Sequence, residues 1–75
     1  MSARDTGVLL EDMLDCVVTI RQYTQGLTEA SLRTNRMAQD AIVRRLEILG
    51  EAANQLPAAY RAQHPEIPWG MITPP

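Results

Sequence analysis

Residues 40–53 read DAIVRRLEILGEAA and lie at the centre of the longest amphipathic stretch in the chain. Apolar residues recur there at steps of three and four, which is the spacing of one face of an α-helix. The pattern predicts a long helix over residues 35–56, which Asn35 caps at its start. One apolar stripe consists of Ala38, Ile42, Leu46 (or the adjacent Arg45), Leu49, Ala53 and Leu56, and a second consists of Met37, Ala41, Ile48 and Ala52.

Two stripes on one helix indicate a position in the middle of a helical bundle, with a neighbour on more than one side. Gly50 costs about 1 kcal/mol relative to alanine inside a helix. Because Ala52 and Ala53 follow it, we expect Gly50 to allow another helix to approach closely.

A second long helix is predicted upstream, over residues 6–25. Asp5 or Thr6 can cap its start, and Gly26 permits the left-handed turn that ends a helix. Its apolar stripe consists of Leu10, Met13, Leu14, Val17, Ile20 and Tyr23. We expect this helix to pack antiparallel to the 35–56 helix, with Leu10, Met13, Leu14 and Val17 against Ile42, Leu46, Leu49 and Ala53.

Shorter elements complete the chain. Residues 28–32 predict a capped turn or short helix that connects the two long ones. Pro57 opens a short helix that runs to about His64, where Pro65 stops it. Residues 66–69 are predicted to be extended, and no segment favours a strand. The sequence therefore predicts an all-α fold in a single domain over residues 1–75.

The composition limits how this domain can be stabilised. A chain of 75 residues with one cysteine and one histidine cannot form an internal disulfide or a histidine-rich structural metal site. A net charge of -2 supplies no basic field for nucleic acid. No signal-peptide core or membrane span is evident. We therefore expect a cytoplasmic protein that gains stability from a partner chain, with a homo-oligomer as the first candidate.

No residue predicts a catalytic, cofactor or metal site on its own. Glu47 and Glu51 lie one helical turn apart, as do Glu11 and Asp15, but no Glu-x-x-His pair accompanies them. Ion pairing, for example of Arg44 with Glu47, is the preferred interpretation. We predict that Cys16 is a buried structural thiol.

The other candidate groups also favour structural roles. His64 is interpreted as a helix-terminal cap rather than an acid–base catalyst. Tyr23, Tyr60 and Trp69 are too widely separated to predict a stacking platform for single-stranded nucleic acid.

The order of residues 40–53 nevertheless resembles the signature of the HepT-like proteins. Leu9-Glu11-Asp12-Met13, Tyr23-Thr24 and Gly26-Leu27 extend the resemblance upstream, and Leu56-Pro57 and His64-Pro65-Glu66-Ile67-Pro68-Trp69 extend it downstream. It covers about residues 4–72 without insertions, whereas residues 70–75 diverge. The resemblance implies a helical bundle of the HEPN superfamily, here incomplete, with two long antiparallel helices plus short helices.

HepT-like proteins are usually dimeric toxins of toxin–antitoxin pairs, and their activity is metal-independent RNA cleavage. Their antitoxin is a nucleotidyltransferase, MntA, that adds AMP to a tyrosine of the toxin. The family motif is an arginine, four to six residues, a histidine and then a tyrosine. Arginine can stabilise the phosphate undergoing attack, while histidine moves protons.

That motif is absent from this sequence. Arg61 and His64 are separated by only two residues and correspond to the short helix that precedes the motif. No catalytic residue or AMP-accepting tyrosine carries over, so we expect a C-terminally truncated HepT-like chain without ribonuclease activity. The alternative is a non-catalytic interaction module that binds itself, a HepT-like protein or an MntA-like antitoxin.

We expect association from the second apolar stripe as well. Met37, Ala41, Ile48 and Ala52, together with Ile67, Trp69 and Met71, would ordinarily pack against a further helix or a second subunit. Exposed apolar patches of several hundred Å² favour association. The expected state is therefore a dimer or a larger assembly.

Overall fold

A computed structural model describes residues 5–73, which contain five helices and no strand. In chain order they are α1 (Thr6–Thr24), α2 (Glu29–Thr34), α3 (Arg36–Gln55), α4 (Ala58–Ala62) and α5 (Trp69–Ile72). The predicted bounds of both long helices are confirmed to within one residue at each end. No helix of the described chain has both the length and the apolar character needed to cross a membrane.

Side-chain caps fix where the first three helices begin. The Asp5 carboxylate accepts a hydrogen bond from the Gly7 backbone N–H at 2.6 Å. Thr28 and Ser31 form a reciprocal capping box at the start of α2, and the Asn35 side chain accepts from Ala38 N–H at 3.0 Å. Each cap satisfies backbone donors that the first helical turn leaves unpaired. After α1, Gly26 turns the chain with a φ of 80°, a conformation that favours glycine.

The two long helices pack against each other in antiparallel orientation. Leu9, near the start of α1, packs with Ala52 and Leu56 at the end of α3. Tyr23, at the other end of α1, lies beside Ala38 near the start of α3. The antiparallel pair predicted from the sequence is confirmed.

The face that α1 turns toward α3 matches the predicted one only in part, since Leu10 and Met13 pack against the cluster of Leu9, Ala52 and Leu56 as expected. Leu9 and Cys16 are fully buried, whereas Leu14 and Val17 are 63% and 41% exposed. Because α1 carries apolar residues around most of its circumference, periodicity alone could not select the buried face.

The stripes of α3 are corrected in the same way. Ala52, assigned to the second stripe, is buried against Leu9, while Leu46, assigned to the first, is half exposed. Arg45, the alternative to Leu46, is the side chain that reaches α1. Met37 is exposed. Val43, Leu46 and Gly50 line one groove that α1 leaves open, and Met37 and Ala41 line another near the start of α3.

The C-terminal segment folds back over the end of the helix pair. Trp69 is half buried and packs against the cluster of Leu9, Ala52 and Leu56. The extended conformation predicted for residues 66–69 is wrong, because a turn leads into α5 at Trp69. Trp69 is therefore covered in part by its own chain, whereas Met71 is 87% exposed.

Candidate functional site

The turn between α4 and α5 brings together the only histidine, one arginine and two of the three aromatic residues of the chain. The Trp69 indole N–H donates to the backbone carbonyls of Arg61 and His64, each at 3.0 Å. Those two carbonyls lie at the end of α4, where helical carbonyls lack an intrahelical partner. The indole therefore closes the end of α4 and fixes the direction in which the chain continues.

His64 lies at the edge of this turn. Its Nδ1 atom is 3.2 Å from the Glu66 Oε2 atom, and its ring centroid is 4.6 Å from that of Tyr60. Hydrogen bonding from the Glu66 backbone, followed by that from His64, lowers the pKa of the Glu66 carboxyl group. The predicted capping role is wrong for the imidazole, because its described partner is a carboxylate rather than a helical carbonyl.

Arg61 precedes His64 by one helical turn but has a different environment. Its carbonyl accepts from Trp69, and its Nε atom is enclosed without a hydrogen-bond partner in the described structure. Stabilising charge on a reacting phosphate requires preorganised donors aimed at the position where that charge develops. Because the Arg61 Nε atom is enclosed, it is not placed to donate a hydrogen bond to a reacting phosphate.

Two of the four candidate metal carboxylates, Glu47 and Asp15, take part in ion pairs. Glu47 lies 3.6 Å from Arg44, which confirms that predicted pair. Asp15 on α1 lies 3.8 Å from Arg45 on α3. No group of three or more His, Cys, Asp or Glu residues within 5–73 is placed to hold a metal ion.

The sequence did not decide whether Arg45 or Leu46 belongs to the face of α3 that contacts α1. The Arg45 guanidinium approaches α1, where the hydroxyl of Tyr23 raises the pKa of Arg45 and partial burial acts in the opposite direction. Cys16 lies beside it as a buried free thiol, as predicted. Arg45 is separated from Ala38, Ala52 and Leu56 by 7, 7 and 11 residues, which are sums of three- and four-residue helical steps, and this spacing was the signal that placed it on this face.

The aromatic side chains do not form a common surface. Tyr60 and Trp69 pack on the Leu9 cluster, whereas Tyr23 lies at the opposite end of the helix pair beside Asn35 and Met37. The importance of Trp69 for closing α4 was not evident from the sequence, because its hydrogen-bond partners are defined only by the turn at residues 63–68.

Comparison with known proteins gives one consistent result. The family described as "Ribonuclease HepT-like" matches residues 13–73. A "Gamma-glutamylcyclotransferase and putative RNase" of Methanocaldococcus jannaschii is 38% identical over 66 residues, which cover 88% of this chain and 30% of that protein. A "Probable ribonuclease HepT" of Thermococcus cleftensis is 35% identical over 60 residues, which cover 80% of this chain and 54% of that protein.

The chain thus spans about half the length of the curated relatives it matches. No solved structure gives a significant match. The family match covers α2 to α5 and most of α1, in agreement with the all-α fold. The chain belongs to the HepT-like ribonuclease family.

Proposed function

We propose that this chain forms the helical scaffold of a HepT-like toxin and does not cleave RNA by itself. Family membership supports the ribonuclease relationship. The observation that carries the proposal is the state of its one histidine. His64 is paired with Glu66 on a surface turn, while the nearby Arg61 has its Nε atom enclosed. The sequence contains no arginine followed after four to six residues by a histidine.

The chemistry explains why the spacing matters. Cleavage of RNA by attack of the 2'-hydroxyl needs a proton acceptor, a proton donor and a cation on the phosphate. Loss of a general acid–base group alone lowers rates by about 10²- to 10⁴-fold. Arg61 and His64 do not provide the family's arrangement, since only two residues separate them in the sequence instead of four to six.

The test is incubation of the purified chain with labelled RNA, with and without a chelator. We expect no cleavage above that of a buffer control, while the Thermococcus cleftensis relative in the same assay serves as the positive control. His64→Ala is the matched variant. Cleavage by the chain that His64→Ala abolishes would show that His64 is catalytic and that the scaffold proposal is wrong.

The toxin assignment has its own test. A scaffold without the catalytic motif should not slow cell growth when expressed, and an MntA-like nucleotidyltransferase should not transfer AMP to it, because the motif tyrosine is absent. Growth arrest or AMP transfer to Tyr23 or Tyr60 would contradict this part of the proposal. A cytoplasmic location belongs to the same proposal, because a chain with one cysteine builds no internal disulfide of the kind common in exported small domains.

The second candidate is a non-catalytic interaction module. It is favoured by the apolar side chains that α1 and α3 leave exposed. Copurification with an MntA-like antitoxin or a HepT-like protein would distinguish this function from a scaffold that has no partner.

A further inference from the structure

We draw no further inference here: the strongest candidate, the shallow apolar groove between α3 and α5 that Val43, Leu46 and Ile72 line, carries none, because nothing within residues 5–73 shows what covers it.

Discussion

Leu9 and Leu14 lie on the same helix, five residues apart, but one side chain is buried and the other is exposed. Leu9 is fully buried against Ala52 and Leu56, and Trp69 closes over that cluster. Leu14 is 63% exposed, and we call Leu14 together with the exposed Val17, Val43 and Leu46 the open face. The two side chains point about 140° apart around the helix axis. Leu9 therefore faces α3, whereas Leu14 does not. The closed end of the helix pair is thus a small core, and the open face is an apolar surface.

The comparison teaches how a chain of this size distributes its few large side chains. Trp69, the only tryptophan, folds back onto one end of the helix pair. It covers only the apolar surface formed there by Leu9, Ala52 and Leu56. The middle of the pair would need a further element of comparable length. Small domains bury a limited fraction of their surface, and here several large apolar side chains of α1 and α3 stay exposed.

The largest expected effect distinguishes the closed end from the open face. Leu9→Ala should lower the free energy of unfolding by about 2–5 kcal/mol, because it removes a fully buried side chain and leaves a cavity. Leu14→Ala, the matched change, should stay within about 0.5 kcal/mol in dilute solution where the chain is monomeric. Urea denaturation followed by circular dichroism measures both. Equal losses would show that the two regions are not energetically distinct.

A smaller effect tests how the closed end is held. Trp69→Phe removes the indole N–H and leaves the carbonyls of Arg61 and His64 without that donor. We expect a loss of about 1 kcal/mol, the typical net value of a hydrogen bond. Tyr60→Phe is the control, since the Tyr60 hydroxyl makes no hydrogen bond within residues 5–73. Thermal melts followed at a helical wavelength suit both variants, and a Tyr60→Phe loss as large as that of Trp69→Phe would refute the role of the indole.

The smallest expected effect concerns pH and the exposed edge of the same turn. Because the pKa of Glu66 is lowered in the folded chain, its contribution to stability is present above the usual carboxyl pKa and is lost as pH falls through the folded value. Glu66→Gln should therefore lower the melting temperature slightly at neutral pH and leave it unchanged in acid. Glu11→Gln, which alters an exposed carboxylate on α1, provides the comparison. A Glu66→Gln effect that persists in acid would mean that the charge is not its cause.

Sequence patterns predicted the helices well because the signals are local. Asn35 caps α3, and Pro57 follows its end at Leu56. These features act within one helical turn, so they can be recognised without knowledge of the fold. The resemblance to HepT-like proteins, confirmed by the family match, was likewise evident in the order of residues 40–53.

The candidate site was less predictable. His64 and Glu66 are close in sequence, but their contact and the position of Tyr60 depend on the turn at residues 63–68. The stripe of α1 was assigned to Leu14 and Val17 because both belong to a valid helical spacing. Since Leu9 and Cys16 belong to another valid spacing, only the position of α3 could decide between them.

The sequence by itself determined where the two long helices begin and end, their antiparallel pairing and the family to which the chain belongs. Hydrogen bonds within a helix and its caps connect residues at most about four positions apart, so their pattern is contained in the sequence. The tertiary structure alone decided that Leu9 is buried while Leu14 is exposed, that Arg45 rather than Leu46 reaches α1, and that Trp69 closes α4. Burial depends on which atoms lie nearby in space, and on an apolar helix several faces satisfy the same sequence pattern.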